Sequence, residues 1–194
     1  MNAILGGSFN PPHAGHLAMA RSVLDLGLAD SVALMPCYSH NFGKKMLTPR
    51  HRLAMCRLCE EEGITVDNFE VKNKLDGKTL SLVMALEIEG RDRPTLIIGG
   101  DNAACFGEWH RHEEVLMHAR FIVVPREGSE LSHEVRRMFS PPHVILEKGV
   151  VTVSSTQVRR CLADWWSCGC PADVPVGLPP GVLSYIREHS LYRS

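Results

Sequence analysis

Two kinds of apolar pattern alternate along the chain. Short continuous runs, Asn2 to Leu5, Val32 to Met35, Thr95 to Ile98 and Arg120 to Pro125, have the length and composition of buried strands. Between them the apolar residues recur at helical spacing: Leu17, Ala20, Leu24 and Leu28 after a start near Gly15, then Leu53, Met55, Cys56 and Leu58, then Leu80 to Glu89. Gly27 and Asp30 close the first of these helices; Thr48 and Pro49, a capping residue and a first-turn residue, open the second, which Gly63 is expected to end.

The remaining segments continue the alternation. Ile64 to Val66 and Glu70 to Lys72 read as strands, Asp101 opens helical material after Gly99-Gly100, and Glu130 to Phe139 reads as a helix. Val144 to Leu146 and Val150 to Val153 supply the last strands, and Ser154 and Ser155 cap a helix carrying Val158 and Leu162. From Asp164 to Pro180 the pattern dissolves into what reads as an ordered surface loop, and a short amphipathic helix follows over Val182 to His189. Strands separated by helices at this spacing predict a Rossmann-like, doubly wound, mostly parallel sheet with helices on both faces. One domain spanning residues 1–194 is expected, its C-terminal helical part starting at about residue 155.

Composition narrows the partners. With 21 basic and 22 acidic residues the formal charge is −1, which argues against nucleic acid or an anionic membrane held by bulk charge. Ile4 and Leu5 run straight into Gly6 and Gly7, too short an apolar run for a signal peptide, and no later run approaches a membrane span, so a cytoplasmic protein is expected. The cysteine count, seven, is odd and reads as reduced thiols. Cys56 and Cys59 fall in a helical pattern with no second pair at zinc-finger spacing, so packing is the favoured role; Cys168 and Cys170 flank a glycine with no histidine at a regular interval.

The chemistry concentrates where strands meet helices. Gly6-Gly7-Ser8-Phe9-Asn10-Pro11-Pro12-His13-Ala14-Gly15-His16 joins the first strand to the first helix. Glycines there let the backbone approach a phosphate, and the helix start offers free N–H groups with partial positive charge. Two histidines three apart can donate to phosphate oxygens and stabilise charge as a bond to phosphorus breaks. The second motif, Ser154-Ser155-Thr156-Gln157-Val158-Arg159, again opens a helix; alone it is a helix cap, but its hydroxyls and Arg159 can reach phosphate.

Three decoys fail on spacing or setting. Gly77-Lys78-Thr79 resembles the end of a phosphate-binding P-loop, but the glycine needed five positions earlier is Lys72. His112-Glu113 would need a second histidine at position 116, which is Leu116. Trp165-Trp166 could stack on a base, yet packing is the favoured role beside Pro171 and Pro175.

Together the HxGH and SSTxxR motifs resemble those of the HxGH nucleotidyltransferase superfamily. Gly99-Gly100-Asp101-Asn102, Phe106, Trp109, Phe121 to Gly128, the run Lys45 to Thr48 into His51 to Met55, and the ending Tyr185-Ile186 with Leu191-Tyr192 resemble bacterial nicotinate-mononucleotide adenylyltransferases in order and spacing. The resemblance covers nearly the whole chain except Asp164 to Gly177. Lys78-Thr79-Leu80-Ser81-Leu82 stands where that family has Tyr-Thr and then Asp-Thr, so only Thr79 carries over; Val153 replaces the usual Ile. His40 to Lys45 leans toward the archaeal and eukaryotic nicotinamide-mononucleotide enzymes.

The resemblance implies adenylyl transfer in NAD biosynthesis: the 5′-phosphate of nicotinate mononucleotide displaces pyrophosphate in line from the α-phosphorus of ATP. It implies catalytic roles for His13, His16, Lys45 and Arg159, and an ATP cleft built from Gly7, Ser8, Phe9, Gly100, Asp101, Ser154 and Ser155. Lys45, Thr79, Trp109 and His110 would hold the mononucleotide, the indole stacked on the pyridine ring. Magnesium (Mg2+) would enter on the ATP phosphates, with no protein cage of its own. Nicotinamide mononucleotide, another acceptor such as phosphopantetheine, or a nucleotide-binding regulatory module without turnover are the alternatives.

Overall fold

The computed structural model describes residues 1–39, 46–150, 153–169 and 177–193. Six parallel strands, β1 (Asn2–Gly7), β2 (Ser31–Pro36), β3 (Ile64–Val66), β4 (Thr95–Gly99), β5 (Arg120–Val124) and β6 (Val144–Ile145), form one sheet in the order β3-β2-β1-β4-β5-β6. That order reverses direction between β1 and β4. In open α/β sheets, such a reversal opens a crevice at the carboxyl ends of the strands because the chain leaves the two strands toward opposite faces.

Alternation within each strand splits the interior into two cores. Leu5, Ile97, Ile122 and Val124 point to one face, against Leu17, Ala20 and Val23 of α1 (Ala14–Asp25), Met55 and Cys56 of α2 (Pro49–Arg57), and the C-terminal helices. Ile4, Leu96, Ile98, Phe121 and Val123 point to the other. There they meet α4 (Thr79–Ile88), the 3-10 turn Phe106–Glu108, α6 (His112–His118) and α7 (His133–Met138). Both faces of the sheet are therefore dry, which is why its strands read as continuous apolar runs.

Four segments depart from the sequence expectation. Glu70 to Lys72 is no strand but the helical turn α3 (Phe69–Lys72), started where the Phe69 N–H donates to Asp67 Oδ1 at 2.9 Å. α2 stops at Arg57, short of Gly63, because Cys59 and Glu60 donate back to the carbonyls of Cys56 and Arg57 in tight turns. α7 begins at His133, where Ser132 Oγ accepts from the Val135 N–H at 3.3 Å. α8 (Ser155–Ser167) runs through Asp164, since Trp165 extends the buried stripe of Val158 and Leu162. Trp166 also packs, donating its indole N–H to the Leu191 carbonyl at 2.9 Å.

α5 (Gly100–Ala104) follows β4, and α9 (Pro180–Glu188) closes the chain. Of the expected strand 150–153, Val150 pairs with Arg126 in an isolated parallel bridge, and residues 151–152 lie outside the described residues. Among the described residues no helix is long and apolar enough to cross a membrane.

Candidate active site

The turn after β1 is held from below by a buried cation. Arg52, fully buried on α2, donates to the carbonyls of Ser8 at 2.9 Å, Leu47 at 2.9 Å and Cys37 at 2.6 Å. Asn10, also buried, accepts from Tyr192 Oη at 2.7 Å and the Leu47 N–H at 3.2 Å through Oδ1. Both residues order the backbone next to the site, since leaving such buried polar groups unpaired would cost about 1–3 kcal/mol each. Phe9 takes a left-handed φ of 45° and buries its ring completely, 4.7 Å from His16.

The HxGH glycine is required by close approach. A Cβ on Gly15 would lie 3.0 Å from the Val153 carbonyl oxygen and 3.1 Å from His13 Nδ1. Glycine therefore lets the first motif touch the second, and the contact is completed by His13 Nε2, 3.0 Å from Ser155 Oγ. Ser154 caps α8, accepting from the Gln157 N–H while Gln157 Oε1 accepts from the Ser154 N–H. The N-terminal turns of α1 and α8 thus face one cavity of about 370 Å3.

Charge in that cavity is arranged for an anion. The His13 and His16 rings stack at 3.7 Å, so two protonated rings would repel. Burial, helped by the positive charges of Arg126 and Arg159, pushes His13 down to about 4; burial and the neighbouring His13 hold His16 well below its ordinary value. Both are neutral at pH 7. His16 Nδ1 accepts from the His13 N–H at 3.2 Å, so the ring proton sits on Nε2 as a donor.

The expected ATP residues Gly7, Ser8, His13, His16, Gly100, Asp101, Ser154 and Ser155 all line this cavity. Phe9 does not; its ring backs His16 from the core. Arg159 also stands outside the lining, donating to the Asn10 carbonyl at 3.0 Å and to Thr156 Oγ1 at 3.3 Å. Asp101 is not the cap of α5, a position held by Gly99, but pairs with Arg126. Arg126 lines the cavity at the end of β5 and is the residue that sequence reasoning left without a role. The strand-end rule was the signal that could have found it.

A second cavity, of about 200 Å3, adjoins the first across Gly6, Gly7, Ser8 and Asn102. Thr79, Trp109 and His110 line it together, although about 30 residues separate the threonine from the other two. Trp109 is braced by Phe106 at 4.8 Å. Glu70 lines it as well, while Arg111 lies off it, paired with Glu114. Lys45 lies outside the described residues.

Among the described residues no group of three or more His, Cys, Asp or Glu is placed to hold a metal. Asp101, already paired with Arg126, is the carboxylate of the first cavity. Cys56 and Cys59 are buried in the core, where burial pushes the Cys59 thiol up to about 11.

A six-stranded parallel sheet with a cleft at its reversal point, lined by an HxGH helix start, defines the class: a nucleotide-binding α/β protein of the nucleotidyltransferase kind. The cytidylyltransferase-like family matches residues 4–161. A relative from Myxococcus xanthus (strain DK1622), named "Probable nicotinate-nucleotide adenylyltransferase", is 36% identical over 197 residues, covering 98% of this chain and 93% of that one. One of the same name from Roseiflexus sp. (strain RS-1) is 33% identical over 198 residues, covering 98% and 96%. The chain belongs to the cytidylyltransferase-like family and, within it, groups with the nicotinate-nucleotide adenylyltransferases. In fold it is similar to the nicotinic acid mononucleotide adenylyltransferase of Plasmodium falciparum complexed with NaAD, with a TM-score of 0.76, 17% identity and coverage of 98% and 96%. The same enzyme complexed with APC gives a TM-score of 0.75 over the same coverage.

Proposed function

We propose that this chain transfers the adenylyl group of ATP to nicotinate mononucleotide, giving deamido-NAD and pyrophosphate, as a step of NAD biosynthesis in the cytoplasm. The observation that carries the reading is the pair of adjoining cavities at the β1/β4 reversal, one lined by His13, His16, Arg126 and Ser155, the other by Thr79 and Trp109. ATP occupies the first, with its triphosphate over the starts of α1 and α8, and the mononucleotide occupies the second. A 5′-phosphate oxygen of the mononucleotide bonds to the α-phosphorus of ATP as the bond to pyrophosphate breaks.

No side chain needs to form a bond, so catalysis is positioning and charge stabilisation. The neutral His16 donates from Nε2 to a phosphate oxygen, and His13, set by Ser155, stands beside it. On nucleotide binding, the Arg126 guanidinium turns from Asp101 to the leaving phosphates. Arg159, one turn into α8, acts by fixing the Asn10 carbonyl and adds positive charge behind His13. Lys45 is assigned to the phosphate oxygens from the family resemblance alone. Asp101 is the carboxylate of the first cavity that could meet a magnesium ion entering with ATP, which would supply charge neutralisation there.

The test is to incubate the protein with ATP, magnesium and a panel of acceptors: nicotinate mononucleotide, nicotinamide mononucleotide and phosphopantetheine. Pyrophosphate release should be fastest with nicotinate mononucleotide, the acceptor that the relatives' name gives, and roughly tenfold slower with the amide. Nucleotide binding without release for any acceptor would identify a regulatory module instead.

A further inference from the structure

The carboxyl of Glu70 is the feature of the pyridine cavity that the adenylyl-transfer reading does not use. It sits on α3, is only 4% exposed, and lines the cavity with Thr79, Lys78 and Trp109. Oε1 is buried and has no hydrogen-bond partner among the described residues, and the Tyr38 backbone N–H meets the carboxyl group. A glutamate kept for structure alone would normally use both oxygens, since an unpaired buried acceptor is costly. A carboxyl with one oxygen unpaired, in the wall of a cavity, is instead a group able to carry a proton in one state and a charge in another.

We propose that Glu70 is a specificity-determining residue of the pyridine pocket: as a neutral acid it admits a substrate bearing a carboxylate, and as an anion it turns that substrate away in favour of a neutral amide. The inference rests on the assignment of the pyridine end to this cavity. Two carboxylates confined in one small, partly dry space cannot both stay ionised without a large cost, so binding of the acid takes one proton from water onto Glu70. The amide carries no charge and requires no such uptake.

The surrounding charges leave this state open to titration near neutrality. Arg52 approaches from α2, but its guanidinium is already committed to the backbone carbonyls of Ser8, Leu47 and Cys37. Asp76 and Lys78, in the loop leading into α4, pair with each other at 3.1 Å. Asp67, just before α3, pairs with Arg91 at 2.8 Å. Cys37 closes the β2 side, its thiol pushed up by burial, and His110 faces from the Trp109 side. Burial, opposed by the Tyr38 N–H and Arg52, raises Glu70 to about 7.

The experiment measures kcat/KM for nicotinate and nicotinamide mononucleotide from pH 6 to pH 8.5, for the wild-type protein and for Glu70→Gln. The 5′-phosphate is common to both substrates, and so are the ATP contacts, so the ratio of the two constants isolates the pyridine substituent. In the wild type the ratio of acid to amide should fall by about tenfold across this range, as a carboxyl titrating near 7 becomes ionised. In Glu70→Gln, which keeps an acceptor for the Tyr38 N–H and never ionises, the ratio should be flat. A flat wild-type ratio, or an equal slope in the variant, overturns the proposal. Calorimetry on the wild type alone, in two buffers of different ionisation enthalpy near pH 7.5, should show proton uptake with nicotinate mononucleotide and none beyond the shared phosphate effect with the amide; equal uptake overturns the proposal without any variant. If neither mononucleotide is turned over or bound, the functional reading itself fails; if both are turned over at a constant ratio, only the role of Glu70 fails.

Discussion

The two halves of the cleft are built in opposite ways. The histidine cavity is local: His13, Gly15 and His16 lie within one turn, Ser154 to Thr156 within another, and one close contact through Gly15 joins the two. The second cavity gathers Glu70, Lys78, Thr79 and Trp109 from α3, the start of α4 and the turn after Phe106, with no motif spanning them. A phosphate is recognised by backbone N–H groups and short donors, which a contiguous turn can supply. A flat ring and its substituent need walls on several sides, which only separate elements can supply.

That contrast can be broken by mutation. His16→Ala should lower kcat by roughly 100-fold, about 3 kcal/mol, because a donor to developing phosphate charge is lost while substrate binding in the other half is untouched. Pyrophosphate release slowed to that extent, with a native melting curve and an unchanged KM for the mononucleotide, would fit; unchanged kcat would remove His16 from the chemistry.

The second effect is on stability and belongs to His13. Its folded value lies near 4 and its ordinary value is 6.5, so the unfolded chain binds the extra proton between those limits. Stability from this group is fully present above about pH 6.5 and is lost as the pH falls toward 4, with about 2 kcal/mol gone by pH 5. Denaturant melts at pH 7.5 and pH 5 should show a loss smaller by about that amount in His13→Gln than in the wild type, the share of His16 remaining in both; equal losses would mean that the His13 ring is not held neutral by the fold.

The smallest expected effect sharpens the comparison from the other side. Trp109→Ala removes a ring braced on Phe106 and should raise the KM for the mononucleotide by roughly tenfold, about 1.4 kcal/mol, leaving the KM for ATP unchanged. An equal rise for both substrates would show that the cavities are not separate subsites.

The alternation of strands and helices is legible in the sequence, and so is the HxGH side of the cleft. Runs such as Thr95 to Ile98 are legible because both faces of the sheet are dry, and the HxGH turn is legible because its parts are neighbours in the chain. Over a few residues periodicity cannot separate one helical turn from a short strand, which is why Glu70 to Lys72 reads as β until the Asp67 side chain is seen to start α3. α8 was cut short for a related reason: Trp165 joins the buried stripe of Val158 and Leu162 only once the rest of the core is there to receive it. Only the folded arrangement sets β1 beside β4, brings Arg126 to the histidine cavity, and leaves Glu70 with an unpaired oxygen in the wall of the second cavity. Each of these depends on burial and pairing between segments far apart in the chain, and such long-range contacts leave no periodic trace in the sequence.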